Sequence, residues 1–418
     1  TLTFNGTVSA PGSLLLVPGL DAPRSYPLSR SCNTLQVTLN NDQFSVTLNR
    51  YLDAFLRYHN PKDTSEHYYS STPSMLDLYQ EYCDQFNAQY GGQVKNALGG
   101  YGETDQEGRG GFVYVFDPAF PNVANATKVV VHMRIIEPIF LSPFSGWTPK
   151  EQAGLVGIQN MSLTASFGEL STSLWSHDNL STGHSNITSV DVSIDAFSVL
   201  LNQQTVPMDM SIPDKAVYDY FEIVPYSQQA VNIPAGGQAT LNLNSVTLKT
   251  IPRRMYIWAS EAPSDLLFAN GGLNKTNTFG VIENLNITFN NKVGLLSTAQ
   301  PVDLYHIARK NGCNLTYNQW RKYVGSVMCV DCSADLSLSE LEASGLVGNY
   351  QVGIQCLVSN PHTVAPPSNP GRAVNYVLNL CVVNEGTMSI INGSVMHQVG
   401  VFSAEDVLNA PIDPSLTW

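Results

Sequence analysis

The sequence predicts an all-β fold: two tandem eight-stranded jelly-roll β-sandwiches with helical insertions in long loops. Three observations predict it, namely strictly alternating segments, a strand pair that recurs, and a polar but weakly charged composition. The clearest segment is Phe279 to Asn291, FGVIENLNITFNN. Phe279, Val281, Leu285, Ile287 and Phe289 fall on one parity; Gly280, Asn284, Asn286, Thr288 and Asn290 fall on the other, with Ile282 the exception. A period of two marks a strand with one face in a core and the other toward polar surroundings.

The recurrence is at Ile158 to Thr164, which lies over Ile282 to Thr288 at an offset of 124 positions, with Ile, Asn and Thr identical. Each copy follows a strongly apolar strand, Val129 to Leu141 before the first and Ile251 to Ser260 before the second, as two similar β domains would give. A rival match pairs Val37 to Asn41 with Ile287 to Asn291. At most one of the two records a duplication.

Charged residues make up only 13%, aromatics reach 10%, and Asn, Ser and Thr are abundant. That profile suits sheets whose neutral polar surfaces meet other protein. No run of about 18 apolar residues occurs, so no membrane span is expected, and the 418 residues suffice for two cores. No signal peptide is apparent, and Thr1 stands in place of an initiator Met, as after trimming or processing. The net charge is −13, and basic clusters do not exceed pairs such as Arg253-Arg254 and Arg309-Lys310. Gripping phosphates needs a positive stripe, so no direct nucleic-acid binding is expected. Seven sparse cysteines predict free thiols in a reducing compartment and no disulfide framework.

Taken in order, Thr1 to Val8 reads as a first strand, and Leu35 to Leu48, broken at Asn40-Asn41-Asp42, as a hairpin. Tyr51-Leu52 and Phe55-Leu56 form a short amphipathic turn or two. Thr72-Pro73 caps a helix with Met75, Leu78, Tyr79, Tyr82 and Phe86 on one face. Gly99 to Gly111 is a surface loop; a phosphate-binding reading fails because no Lys-Ser/Thr follows and the next segment is a strand. Strands at Val129 to Leu141, Leu155 to Phe167 and Ile187 to Leu201 complete the first domain, residues 1–205. Asn202 to Asp214 holds two prolines and no periodicity and is the linker.

The second domain, residues 206–418, places strands at Val217 to Val224, Gln238 to Leu248, Ile251 to Ala259 and Phe279 to Asn291. A helix follows at Pro301 to Asn311, closed by Gly312, with Leu304, Ile307 and Ala308 as its buried stripe. A capping box at Ser337 and Glu340 starts another short helix ending at Gly345. Strands at Tyr350 to Ser359, Ala373 to Val383, Met388 to Ile391 and Val395 to Phe402 finish it. About eight strands per half, with few helices, fit two packed antiparallel sheets in each.

Candidate chemistry is thin. Cys329-Val330-Asp331-Cys332, with Cys313 and Cys356, offers four thiolates to a tetrahedral zinc, but the usual site has two close pairs and only one is present. A redox role needs this motif on a helix after a strand in a βαβ unit, which the pattern lacks. Structural or surface thiols are the reading, and no metal or cofactor is expected. The eight histidines form no ligand pattern: His132 reads as a satisfied sheet residue, and His177 and His184 lie in a polar loop. Glu137 shares parity with Val131, Met133, Ile135, Ile139 and Leu141, so it either carries chemistry, pairs with an Arg or lies in a subunit interface. In Met255-Tyr256-Ile257-Trp258 both faces are apolar, so both are covered, by a loop or by a neighbouring subunit.

These residues resemble a known family. The strands IPRRMYIW and IENLNITFNN, then Asp303-Leu304-Tyr305 leading to Lys310-Asn311-Gly312 with Trp320 close behind, are similar to the double jelly-roll major capsid proteins of icosahedral double-stranded DNA viruses, especially the virophage and Polinton-like members. The resemblance is sharp over about residues 250–322 and architectural elsewhere. It implies a structural protein and no enzyme: homotrimers whose six jelly rolls make a pseudo-hexameric capsomer, assembled inside the host cell into the virion shell. Its implied partners are other copies of itself, neighbouring capsomers, and penton and minor capsid proteins, with an internal membrane left open. Tyr256, Trp258, Leu304, Tyr305 and Trp320 are the implied interface residues. The chain is shorter than many virophage relatives, so a cleaved C-terminal domain is expected to be missing or removed.

The alternative from another class is a secreted carbohydrate-binding or glycan-cleaving protein on tandem jelly rolls. It needs a cleft between the domains, with Tyr256, Trp258 and Glu137 as its first candidates. A viral spike or minor vertex protein is a third reading.

Overall fold

A computed structural model describes residues 1–16, 26–59, 113–144, 154–168, 185–201, 213–262, 279–318, 320–321, 325–336, 338, 344–361 and 373–400, with the backbone of 22–23 and 175–176. The helix predicted around Met75, the loop from Gly99 to Gly111, Cys83, His177, His184, most of the linker and most of the short helix predicted at Ser337 lie outside the described residues.

The first half contributes β1 (Leu2–Thr7), β2 (Ala22–Pro23), α1 (Pro27–Ser31), β3 (Cys32–Leu39), β4 (Asp42–Val46), α2 (Leu52–His59), β5 (Val113–Phe116), β6 (Lys128–Arg134), β7 (Met161–Phe167), β8 (Trp175–Ser176) and β9 (Asn186–Val192). They pair antiparallel in the orders β5-β6-β1-β9 and β4-β3-β7, with β2 against β8. Three predicted strands are shorter than expected, and the one placed at Leu155 to Phe167 joins its sheet only at Met161. The run from Val129 leaves the sheet after Arg134, because Pro138 has no N–H to give a ladder and Glu137 is engaged with α1. The run from Ile187 leaves after Val192, and residues 193–201 continue as irregular, exposed chain.

The second half contributes β10 (Lys215–Ser227), β11 (Val231–Ile233), β12 (Gln238–Thr250), β13 (Arg254–Glu261), β14 (Val281–Phe289), β15 (Lys292–Leu295), α3 (Pro301–Lys310), β16 (Val327–Asp331), α4 (Cys332–Asp335), β17 (Val347–Ser359), β18 (Val374–Ile391) and β19 (Ser394–Val399). Its sheets run β10-β18-β13-β16 and β12-β17-β14-β15, with β11 and β19 on β18. These are the eight principal strands expected of a jelly roll. The strands predicted at Ala373 to Val383 and Met388 to Ile391 are one, since Asn384 to Thr387 pair without a break with Asp219 to Glu222 of β10. The alternation misses β16, because four of its five residues are buried and a strand covered on both faces has no period of two.

Helix α3 forms as its sequence predicts. Gln300 and Asp303 make a reciprocal capping box, Pro301 opens the first turn, and Arg309 and Lys310 sit in the last turn. Gly312 closes it at φ 107°, a left-handed conformation that a side chain resists. Leu304 and Ala308 are buried and Ile307 packs partly buried on the core.

The main core lies between the two sheets of the second half. Met255, Ile257 and Ala259 of β13 face Leu285, Ile287 and Phe289 of β14 and Val352, Ile354 and Cys356 of β17. Burying each large side chain there stabilises the fold by ~1.5–3 kcal/mol. A separate cluster of Leu2, Phe4, Leu15, Leu16, Val129, Val131, Ile187 and Val190 covers one face of the β5-β6-β1-β9 sheet.

The halves correspond strand by strand, though not at the longer sequence match. Asn40 and Asn290 both follow an alternating strand with left-handed φ values of 51° and 50°. The Asn40 N–H donates to the Asn160 carbonyl at 2.8 Å, and its Oδ1 accepts from the Gln159 and Asn160 N–H groups at 2.8 and 3.0 Å. The Asn290 N–H donates to the Gln351 carbonyl, and its Oδ1 accepts from the Gln351 N–H, each at 2.8 Å. So β3, β4 and β7 correspond to β14, β15 and β17. The match of Val37 to Asn41 with Ile287 to Asn291 is the structural one, and the 124-position match is not. Strands that bury one face share an alternating pattern wherever they sit. The turn asparagines carry the distinguishing constraint. Likewise β1, held between β6 and β9, corresponds to β13, held between β16 and β18.

Candidate functional site: the seam between the halves

The outer face of the β10-β18-β13-β16 sheet is apolar. Tyr220, Tyr256, Trp258, Cys329, Cys381, Val383, Met388 and Ile390 cover it. The first half lies against this face through Leu35, Val37, Leu39, Phe44 and Val46 of the β3-β4 hairpin and through Tyr51, Leu52 and Phe55 around the start of α2. The Tyr256 ring is 5.0 Å from Phe55 and 5.4 Å from Tyr58, centroid to centroid. Tyr256 is 1% exposed and Trp258 2%. Both faces of β13 are therefore covered by this chain itself, and neither residue reaches a neighbouring subunit.

Helix α2 is also pinned by polar groups. Arg57 Nη1 donates to the Gly325 carbonyl at 2.9 Å, and its guanidinium lies 4.4 Å from the centroid of the Phe279 ring. Burial lowers its pKa to about 10, which still leaves it charged at neutral pH. Tyr58 Oη donates to the Val327 carbonyl at 2.6 Å.

Hydrogen bonds close the rim of the seam where the Asn40-Asn41 turn meets the β18-β19 hairpin. Asn40 Nδ2 donates to the Gly393 carbonyl at 2.7 Å. Asn41 Nδ2 donates to the Val395 carbonyl at 3.1 Å and its Oδ1 accepts from the Val395 N–H at 2.8 Å. Asp42 Oδ2 accepts from the His397 N–H at 3.1 Å and lies 2.6 Å from His397 Nδ1. Nothing in the sequence singles these residues out beyond the turn signals Asn-Asn and Asn-Gly.

Of the other expected interface residues, Leu304 and Trp320 are fully buried in the core of the second half. Trp320 Nε1 donates to the Val327 carbonyl at 3.3 Å. Tyr305 is half-buried, packs against Tyr317 and Trp320, and donates from its hydroxyl to the Leu315 carbonyl at 3.0 Å. An amphipathic helix over a sheet supplies its own apolar partners, and that is why these aromatics turn inward.

Glu137 serves as a structural acceptor within the first half. Its two carboxylate oxygens accept from the Leu28 and Ser29 N–H groups at 2.9 and 2.8 Å, capping α1 from a distance. Glu137→Ala is expected to cost ~1–2 kcal/mol in a urea titration, and Glu137→Gln less, since one acceptor remains. His132 pairs with Asp117 at 3.3 Å and with the Thr1 hydroxyl at 2.9 Å, the satisfied sheet residue expected.

The six described cysteines are buried. Cys329 sits in the middle of β16 and Cys332 opens α4, whose N-terminus is capped by Asp331 Oδ1 accepting from the Ser333 and Ala334 N–H groups at 3.1 Å. Burial raises Cys32 from the ordinary thiol value of 9.0 to about 11 and Cys329 to about 12. Such thiols stay protonated at neutral pH, which disfavours nucleophilic redox attack. Among the described residues no three His, Cys, Asp or Glu side chains come together as metal ligands. Because these folded-state values are raised, the unfolded chain loses thiol protons first. Stability is full below about pH 9 and falls as pH rises through the folded values. A urea midpoint that drops from about pH 8 to about pH 10 is expected; a flat or rising midpoint contradicts this placement of the thiols.

Two β-sandwich halves joined by an apolar seam, with the conspicuous aromatics turned inward, define a tandem jelly-roll scaffold whose work is done by its surfaces. The family model for the Sputnik virophage major capsid protein 1st domain matches residues 1–210, and that for the major capsid protein V20 C-terminal domain matches 222–324. The chain belongs to the virophage major capsid protein family. It is 28% identical over 447 residues to the putative capsid protein V20 of Sputnik virophage, covering 100% of this chain and 71% of that protein. The Sputnik virophage structure solved by cryo-electron microscopy superposes with a TM-score of 0.81 at 27% identity, covering 100% of this chain and 84% of that one. The crystal structure of the mavirus major capsid protein has the same fold, with a TM-score of 0.74 at 15% identity over 99% of this chain and 86% of that one. These homologues are structural capsid proteins and not enzymes, and this protein builds a virion shell.

Proposed function

We propose that three copies associate into a pseudo-hexameric capsomer, and that capsomers tile an icosahedral shell together with penton and minor capsid proteins. The observation that carries the reading is the seam: it holds two similar β-sandwich halves on one chain, so that three chains present six comparable units. Residues 1–205 and 206–418 are the two jelly rolls. Tyr256, Trp258, Leu304 and Trp320 serve assembly indirectly, by fixing the shape of each protomer, while Tyr305 retains a half-buried edge near the surface. A net charge of −13 fits a shell that leaves contact with nucleic acid to other components.

The glycan-binding alternative needs stacking aromatics in an open cleft, and the two it relied on are buried in the seam. Electron microscopy of the purified protein tests the proposal. Particles of hexagonal outline are expected, and separate two-lobed particles at assembly concentrations would contradict it.

A further inference from the structure

The two halves place corresponding segments in different surroundings. In the first half, one end of the β4-β3-β7 sheet docks on the second half at the rim of the seam. Asn41, in the β3-β4 turn, holds both the N–H and the carbonyl of Val395. Beside it runs Gly154-Leu155-Val156-Gly157, the segment that leads toward β7. Its Val156 N–H donates to the Tyr218 hydroxyl at 2.9 Å, and Leu155 and Ile158 pack partly buried on the seam core.

Both segments recur in the second half. The β14-β15 turn is again Asn-Asn, with Phe289 opposite Lys292 as Leu39 is opposite Asp42. The segment that runs into β17 is again Gly-Leu-Val-Gly, residues 345–348, and the Asn290 N–H bonds Gln351 as the Asn40 N–H bonds Asn160. The outward residues at this end are open. Val293 is 74% exposed and Val347 54%. Asn291 is exposed too, and its side chain has no hydrogen-bond partner among the described residues. Residues 290–293 and 345–351 contain no carboxylate, so this end of the sheet can meet a chain of net charge −13 without repulsion between like charges.

We propose that this end of the β12-β17-β14-β15 sheet docks on the first half of a second copy, repeating between chains the contact made within one. Asn291 takes the N–H and carbonyl of one strand residue there, as Asn41 takes those of Val395, and Val293 and Val347 are covered. The occupant is a second copy because the matching end of the first half already grips a half of this same protein. Such a contact joins two different surfaces, and a rotation that closes it after three copies gives a ring. The assignment rests on the three-copy reading and adds to it the surface through which the copies join.

The test is native mass by light scattering over a dilution series for the parent and two variants. Val293→Glu combined with Val347→Glu is expected to be monomeric at concentrations where the parent is a trimer. Asn291→Ala, which removes two hydrogen bonds across the contact, is expected to raise the dissociation constant at least about tenfold. Urea midpoints equal to that of the parent show that the variants are folded. A trimeric parent whose charged variant associates just as tightly overturns this surface and leaves the capsomer standing. Should the charged variant not fold, Asn291→Ala decides alone, and an unchanged dissociation constant overturns the proposal. A parent that is monomeric throughout overturns the capsomer and this surface with it.

Discussion

Tyr256→Ala and Trp258→Ala are each expected to destabilise the protomer by ~3–5 kcal/mol, before any effect on assembly is reached. Each removes a ring that is almost fully buried between the β13 sheet and the first half, where the neighbouring rings and strands are fixed by their own contacts and cannot collapse into the gap. The two sites share partners on one face of β13, so the double change should depart from additivity. Urea unfolding followed by tryptophan fluorescence for Tyr256→Ala, and by circular dichroism for Trp258→Ala, measures the loss. Had these residues lain in a subunit interface, the variants would unfold like the parent and fail only in association. That outcome would refute the seam as described.

Gly325→Ala is expected to be the most damaging single-atom addition, at ~4 kcal/mol or more. Gly325 adopts φ 75°, and a Cβ built on it would stand 1.8 Å from the Phe279 carbonyl oxygen. The clash is with backbone that cannot give way, because the Gly280 N–H is bonded to Ala259 and the Gly280 carbonyl to Ser326. The same residue presents the carbonyl that receives Arg57, so the disturbance reaches the seam. Gly353→Ala is the control. A Cβ there meets only Thr288 Cβ at 3.7 Å, so the change should stay within about 1 kcal/mol of the parent, with either sign. Thermal melts of the two variants side by side decide the matter, and equal shifts would contradict the packing at the start of β16.

Much of the fold was legible because half-buried strands write themselves as alternation. The strands β12, β14 and β17 and the helix α3 fall where their alternation and caps put them, and β13 falls where its continuous apolar run does. Two kinds of feature were not legible. Strand β16 is covered on both faces and so carries no period, and residues 193–201 look like a strand but pair with no described strand. The internal correspondence was misplaced for a related reason: Ile158 to Thr164 resembles Ile282 to Thr288 through burial of one face, whereas the left-handed turn at Asn40 and Asn290 is what the two halves share in space. The seam was half legible. Two apolar faces on Met255 to Trp258 require two covers, but only the fold shows that α2 and the β3-β4 hairpin supply the second. Glu137 was noticed for the right reason, a carboxylate among apolar neighbours, yet its partners are backbone N–H groups more than 100 positions away, which no local pattern encodes.

The measurement that bears most directly on the central claim is the native mass of the purified protein by light scattering on a size-exclusion column. The account predicts about three times 45.6 kDa, unchanged on dilution. A 45.6 kDa species at every concentration would contradict the capsomer.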